Sequence, residues 1–249
     1  MRCFVALTLP AAAREALDRA AAPLRGRWPG LAWVRPEDYH LTLAFLGEQG
    51  PAGLQAARAA LGSLIGLEAI ELALPRLVQF PPRGPWRVLA AEVESPLAAG
   101  PEDPAGAPRA ASGAPRRKGR RPEDELATVY RLVNAALARE AERAGLQALN
   151  PEWPDGRAFR AHITLARRPA KPGPGCPGPG ESFEAGLLEE ARAILAAAGN
   201  VAAAAGTAAS PRNKGGGGFQ SEAILLYKSE LRPKGAVYTE LDRLTLAST

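Results

Sequence analysis

The chain has only two histidines, and both begin the same short phrase. His40 opens His-Leu-Thr-Leu and His162 opens His-Ile-Thr-Leu, each within an apolar run that is typical of a β-strand. On a strand, residues two positions apart point to the same face. We therefore predict that His40 shares a face with Thr42 and that His162 shares a face with Thr164. The residues predicted to face the core from the same strands are Leu41, Leu43, Ile163 and Leu165.

The repetition of this phrase points to chemistry more than to strand preference. Threonine is scarce, with 8 residues in 249, yet it follows both histidines at the same spacing. A single histidine of this kind is commonly a half-buried strand residue bonded to a neighbour, whereas a matched pair favours two halves of one catalytic site. Because His40 and His162 are about 120 residues apart, tertiary folding must bring the halves together.

Composition and charge are those of an ordinary globular protein. Of the 249 residues, 46% are hydrophobic and 23% are charged, and the formal net charge is +5. The run 116–121 supplies five cations, without which the formal charge is zero. Basicity is therefore weak support for a nucleic-acid partner, and the run itself is typical of a solvated flexible arm.

Location is indicated by what the chain lacks. No run approaches the roughly 18 apolar residues that a membrane span requires. Residues 3–9 are apolar apart from Thr8, but Pro10 ends this short run and charged residues follow at helical spacing. We therefore predict a first strand and helix in place of an export signal. Cys3 and Cys176 are far apart and form no disulfide framework. We expect a monomer in the cytoplasm, without membrane contact.

Hydrophobic periodicity predicts one domain over residues 1–249 with the order β-α-β-β-α-β-β, a long insert, and then α-β-α-β-β. Each histidine phrase belongs to a similar strand and helix unit. Tracts rich in Pro, Gly and Ala cannot bury enough apolar surface to form a core, so we predict inserts at about 95–121, 169–181 and 199–218. Other predicted elements include a helix at 11–25 ended by Gly26, a second histidine strand at 159–167, a helix opening at Pro122, a helix at 183–198 and a strand at 219–227.

Two familiar kinds of site are disfavoured. Residues 173–178 match GxGxxG, but the prolines among and after them remove backbone donors and no helix is predicted to start there, so we interpret the segment as a linker. A zinc site would need carboxylates beside the two histidines and would not require the threonines. We predict no metal and no cofactor. Further candidates are Arg167 as a phosphate contact and Tyr227 and Ser229 as residues lining a cleft.

Together these phrases resemble the two-histidine (2H) phosphoesterase superfamily, and within it the RNA 2′,3′-cyclic phosphodiesterases, also called 2′-5′ RNA ligase-like proteins. The similarity extends over most of the chain outside the inserts. Two positions depart from the family pattern: Ala44 stands where a basic residue is frequent, and Ala161 where proline is usual. The supporting runs are residues 1–6, 33–37, 40–48, 159–167 and 226–231 with 237–238.

The resemblance implies an α+β fold of two similar lobes, each an antiparallel sheet with helices on its outer face, with the active-site cleft between them. It implies hydrolysis of RNA 2′,3′-cyclic phosphate ends to 2′-phosphates, with His40 as proton donor and His162 as proton acceptor. Thr42, Thr164 and Arg167 would bind the phosphate. Reversible 2′-5′ ligation would be the same chemistry with a 5′-hydroxyl as nucleophile. Alternatives are an enzyme acting on a small cyclic nucleotide or a 2′-5′ oligonucleotide, and a non-catalytic module that binds RNA ends.

Overall fold

The computed structural model describes residues 1–74, 76–82, 85–95, 125–149, 159–177, 190–191, 193–195, 219–232 and 235–247. Several predicted segments lie outside these residues. They are nearly all of the first insert with its basic run 116–121, the third insert at 199–218, the helix start at Pro122 and most of the helix at 183–198.

Within the described residues, helices and antiparallel strands alternate as an α+β fold. The helices are α1 (Ala11–Arg27), α2 (Pro51–Gly62) and α3 (Glu125–Arg143), and a short 3-10 helix spans Pro36–Asp38. The strands are β1 (Arg2–Thr8), β2 (Ala32–Trp33), β3 (His40–Glu48), β4 (Glu71–Leu72), β5 (Leu77–Phe80), β6 (Val88–Glu92), β7 (His162–Arg167), β8 (Phe219–Gln220), β9 (Ala223–Arg232) and β10 (Gly235–Thr245).

Eight of the strands form one sheet made of two antiparallel halves. Its order is β10-β9-β1-β3-β7-β6-β5, and β2 pairs with β7 beside it. The first half ends at β3 and the second begins at β7, so the two histidine strands are neighbours. These two strands are joined through one residue pair, Leu41 with Ile163. Strands β4 and β8 form a separate pair.

The helices cover one face of this sheet, and the core lies between. Leu41, Leu43, Ile163 and Leu165 have no exposed surface, which confirms the predicted inward face of both histidine strands. On α3 the apolar stripe is buried against the same core, and the side-chain amide of Asn134 donates to the Leu43 carbonyl at 3.2 Å. The buried stripe of α3 includes Leu126, Val129, Val133 and Leu137. The histidines therefore lie on the face away from the helices.

Three predicted boundaries were wrong. Helix α1 continues through Gly26 to Arg27 and ends where the N–H of buried Trp28 bonds to the Leu24 carbonyl at 2.8 Å. A glycine costs a helix only about 1 kcal/mol, so burial of Trp28 outweighs it. The second histidine strand begins at His162, later than predicted.

The run 219–227 is divided at Ser221. The N–H of this buried serine bonds to the Ile70 carbonyl at 2.9 Å and its hydroxyl bonds to the Thr8 carbonyl at 3.2 Å. These bonds hold β8 beside β4 and let β9 start at Ala223 beside β1. In addition, β5 was not predicted, because four residues between prolines carry too little periodic signal.

Part of the second predicted insert contacts the body of the protein. Gly30 donates its N–H to the Gly175 carbonyl at 3.0 Å, and the Cys176 thiol donates to the Gly30 carbonyl at 2.9 Å. A β-carbon on Gly30 would come within 2.5 Å of the Pro174 carbonyl oxygen. No helix begins within the described residues of the GxGxxG match, 173–177.

The junction of the two halves should be a stability determinant. We expect Leu41→Ala to lower the free energy of unfolding by about 2–5 kcal/mol, because the side chain is fully buried at the one pair that joins β3 to β7. Ile65→Ala is the matched control, since Ile65 is 81% exposed and should change stability by less than about 0.5 kcal/mol. Urea unfolding measures both. Equal effects would contradict the junction's role.

Candidate active site

The register between β3 and β7 brings the two histidine phrases onto adjacent positions of one sheet face. Because Leu41 lies opposite Ile163 in an antiparallel pair, His40 lies opposite Thr164 and Thr42 lies opposite His162. All four side chains are half-buried, in contrast to the fully buried residues between them. The two histidines occupy diagonal positions of this face, close enough for groups bound between them to contact both.

Both histidine rings are oriented by the same backbone hydrogen bond. His40 Nδ1 lies 2.7 Å from the carbonyl oxygen of Asp38, and His162 Nδ1 lies 2.8 Å from that of Arg160. A carbonyl oxygen only accepts, so Nδ1 carries the proton in each ring. Nε2 is then the nitrogen that exchanges a proton with a ligand, in both halves of the site.

An aromatic ring supports each imidazole. The Phe4 ring centroid is 4.8 Å from that of His40, and the Phe80 centroid is 4.9 Å from that of His162. On the His40 side, Tyr238 adds an edge contact at 5.2 Å and Tyr227 lies at 6.2 Å. Together with the Nδ1 bonds, these contacts restrict rotation of both rings and leave Nε2 as the reactive position.

A β-bulge after each threonine changes which residue faces the site. Between β6 and β7 the register advances from Ala90–Thr164 to Leu89–Ala166, so Leu165 is the extra residue. Arg167 then pairs with Val88, on the same face as Thr164. Without the bulge, simple alternation would direct Arg167 to the core face. The exposed Arg167 beside the fully buried Ala166 agrees with this arrangement.

The same bulge occurs in β3. Its pairing with β1 advances from Ala6–Thr42 to Val5–Ala44, so Leu43 is the extra residue. Phe45 then reaches the site face, and Ala44 is fully buried. Phe45 is therefore the counterpart of Arg167, and the two halves differ at this position by one charge.

Electrostatics favour neutral histidines in the free protein. Burial lowers the pKa of His40 from its ordinary value of 6.5. The hydrogen bond to Asp38 raises this pKa, and the charges of Arg167 and His162 lower it. Burial likewise lowers the pKa of His162, and the charge of Arg167 lowers it as well, whereas the hydrogen bond to the Arg160 carbonyl raises it. The Arg167 guanidinium thus lies within electrostatic range of both rings.

The two threonines present free hydroxyls. Within the described part of the chain, neither the Thr42 nor the Thr164 hydroxyl forms a hydrogen bond, and both side chains are half-buried. Two hydroxyl donors, two imidazole Nε2 atoms and one guanidinium therefore face the same space. This set can bind an anion and transfer protons at opposite sides of it.

The structure brings five of the predicted site residues to one sheet face, and their functional roles stay predictions. These residues are His40, Thr42, His162, Thr164 and Arg167. Tyr227 lies at the His40 ring, and Ser229 lies two residues farther along β9, opposite Tyr238. The supporting rings of Phe4, Phe80 and Tyr238 were not identified as site residues. Only Phe4 and Tyr238 carried a signal, since both lie in runs that support the family resemblance.

Among the described residues, one side of the site borders a groove and no cluster of metal ligands is present. An open groove of about 720 Å³ adjoins His162 and is lined in part by Phe80, Arg160 and Ala161. In the same residues, no group of three or more His, Cys, Asp or Glu side chains is arranged to hold a metal ion. None of the described helices is long and apolar enough to cross a membrane.

Known proteins are similar to this chain in sequence. Residues 7–90, which contain the first histidine phrase, match the family described as LigT like Phosphoesterase. An RNA 2′,3′-cyclic phosphodiesterase of Thermus thermophilus is 30% identical over 249 residues, covering 99% of this chain and 90% of the relative.

Solved structures share the fold along nearly the whole chain. The crystal structure of TT0787 of Thermus thermophilus superposes with a TM-score of 0.61 at 25% identity, covering 99% of this chain and 98% of the other. The apo crystal structure of E. coli LigT superposes with a TM-score of 0.52 at 20% identity, covering 98% and 96%. The α+β architecture of helices and antiparallel sheet is thus that of these proteins. By its match to the Thermus relative and to the family, this chain belongs to the LigT-like phosphoesterases of the 2H superfamily.

Proposed function

We propose that this protein is a metal-independent RNA 2′,3′-cyclic phosphodiesterase that produces 2′-phosphate ends. The observation that carries the proposal is the pair of histidines on one sheet face, each with Nδ1 bonded to a carbonyl and Nε2 free for proton transfer. The name of the Thermus thermophilus relative supports the substrate class. The expected partners are RNA ends, and the protein is expected to act as a monomer.

The reaction needs one proton acceptor and one proton donor on opposite sides of phosphorus. His162 Nε2 takes a proton from water as the water oxygen attacks phosphorus. The bond between phosphorus and the ribose 3′-oxygen breaks, and His40 Nε2–H donates its proton to that oxygen. The attacking and leaving oxygens are roughly in line, so one histidine from each half of the sheet suits the geometry.

The remaining polar groups hold the phosphate. Thr42 and Thr164 donate hydrogen bonds to the non-bridging oxygens, and Arg167 adds a charge-assisted contact. The bulge at Leu165, which brings Arg167 to this face, is the structural basis for that role. Ring strain already activates the cyclic phosphate, so the proposal requires no Lewis acid. A 5′-hydroxyl in place of water would form a 2′-5′ linkage by the same proton transfers.

The first test removes the proton-transfer groups. We expect His40→Ala and His162→Ala each to lower the rate at least ~100-fold on a mononucleotide 2′,3′-cyclic phosphate, the lower range for general acid–base groups. Phosphorus NMR should identify the 2′-phosphate as the product, and EDTA should leave the rate unchanged. Activity lost on chelation and restored by a divalent ion would contradict the mechanism. Binding without turnover would instead favour the RNA-end-binding alternative.

The second test uses the lowered histidine pKa values. Burial and the charge of Arg167 lower the pKa of both histidines. The two ring signals should therefore titrate below pH 6.5 in proton NMR of the free protein. The kcat/KM profile should be bell-shaped with its maximum below pH 6.5. Arg167→Gln removes a positive charge and should raise both midpoints, whereas Arg139→Gln on α3 should leave them unchanged. Midpoints insensitive to Arg167 would contradict the electrostatic assignment.

The third test separates phosphate binding from strand preference. Thr42→Val and Thr164→Val retain the β-branched shape but remove the hydroxyl donor. Each should lower kcat/KM by about 1.5–3 kcal/mol, or roughly 10- to 150-fold, the effect of losing a hydrogen bond to a charged group. Thr→Ser should have a smaller effect, and the pH profile should keep its shape. Parental rates in both valine variants would show that the threonines serve only the strand.

A further inference from the structure

Arg2 and Phe45 form a cation–π pair on the site face, and Phe45 is the residue that corresponds to Arg167 in the other half. The guanidinium carbon of Arg2 lies 4.8 Å from the Phe45 ring centroid. Phe45 reaches this face through the bulge in β3, as Arg167 does through the bulge in β7. Arg2 shares the face of β1 with Phe4, which contacts His40. The first half of the site thus carries a cation that the proposed mechanism does not use.

The charge of Arg2 is not neutralised by a neighbouring carboxylate. Glu48 lies opposite Arg2 in the register, but its carboxylate pairs with the N-terminal ammonium at 3.2 Å. Among the residues that the structure describes, Arg2 has no ion-pair partner, and its side chain is exposed. A guanidinium over an aromatic ring keeps its in-plane N–H donors available, and their geometry matches phosphate oxygens.

The position of Arg2 suits a second phosphate better than the reacting one. Arg2 is four residues before Ala6, so the Cα atoms of Arg2 and Ala6 are roughly 13 Å apart along the strand. Ala6 pairs with Thr42, which is proposed to bind the reacting phosphate. Burial raises the pKa of Tyr238, while the charges of both Arg167 and Arg2 lower it. The Tyr238 hydroxyl therefore lies within electrostatic range of both guanidinium groups, and of the Asp38 carboxylate, which raises its pKa.

The location of Arg2 on the β1 side of the site matches the proposed chemistry. His40 protonates the leaving ribose oxygen, so the terminal ribose lies on the side of β1 and β3. The RNA chain attached to that ribose leaves the site on the same side, where Arg2 is located. We propose that Arg2, held over Phe45, binds the phosphodiester preceding the terminal nucleotide, so that RNA ends are favoured over mononucleotide cyclic phosphates. This inference rests on the proposed function and decides between its RNA and small-nucleotide substrates.

The experiment compares two substrates that differ by this phosphodiester. We expect Arg2→Gln to lower kcat/KM roughly 10-fold or more on a dinucleotide ending in a 2′,3′-cyclic phosphate. Turnover of cytidine 2′,3′-cyclic phosphate should stay within about twofold of the parent, since that substrate has no second phosphate. Salt should weaken dinucleotide binding less in the variant than in the parent, because one phosphate contact is lost.

Matched variants identify the cause. Arg139→Gln removes the same charge from an exposed position on α3 and should leave both substrates unaffected. Phe45→Leu removes the ring beneath the guanidinium and should lower dinucleotide turnover alone. Calorimetry gives a readout independent of turnover. It measures the affinities for cytidine 2′-phosphate and for a dinucleotide with a terminal 2′-phosphate. In the parent the dinucleotide should bind more tightly, and Arg2→Gln should abolish that difference.

Two results would overturn the inference: equal losses on both substrates in Arg2→Gln, or no loss on either. The first would locate Arg2 at the reacting phosphate or in the scaffold, and the second would show that it makes no contact with RNA. Failure of the proposed function is distinguished from both, because the parent protein itself would then leave cytidine 2′,3′-cyclic phosphate uncleaved.

Discussion

The pairing of Leu41 with Ile163 is the interaction on which the site depends. It joins two antiparallel half-sheets whose histidine phrases are about 120 residues apart in sequence, and it sets their register. A slip of one residue in either strand would move one histidine and its threonine to the core face. Full burial of both aliphatic side chains makes such a slip costly. The hydrophobic core on one side of the sheet thus determines the chemistry on the other.

The two halves supply the same parts with one asymmetry. Each has a histidine held through Nδ1 by the carbonyl two residues earlier, a phenylalanine against the ring, a threonine hydroxyl and a bulge beyond it. The bulges deliver Phe45 in one half and Arg167 in the other. The charge of Arg167 lowers the pKa of both histidines, and a second cation, Arg2, lies over the Phe45 ring. This asymmetry separates a guanidinium that acts on both histidines from one that lies over Phe45.

Anchoring of the imidazoles also gives each ring a defined chemical role. With Nδ1 committed to a carbonyl, proton exchange is confined to Nε2 in both rings. Burial and the nearby guanidinium favour the neutral form in the free protein, whereas a bound phosphate anion would favour the protonated form. In the proposed mechanism, binding and ionisation would therefore be coupled, because the phosphate that needs a protonated donor would also promote its protonation.

Much of the site follows from local sequence, because strand alternation is a local property. The spacing of His40 with Thr42 and of His162 with Thr164 determined which side chains share a face, and the aliphatic residues between them determined the core side. The periodic stripe of α3 identified its buried face in the same way. Local sequence did not determine the end of α1. Glycine costs a helix little free energy, and the burial of Trp28 outweighs the cost of Gly26.

Only the tertiary structure decided how these local units combine. Strand order and register arise from contacts between residues far apart in the chain, and no single segment encodes them. The bulges that turn Arg167 and Phe45 to the site appear only when each strand is paired with its neighbour, because simple alternation assigns both residues to the core. The rings of Phe4, Phe80 and Tyr238 reach the histidines from other strands for the same reason. The sequence determined the chemical groups and the faces of the two histidines and two threonines. Non-local pairing brought these groups together and turned Arg167 and Phe45 to the site.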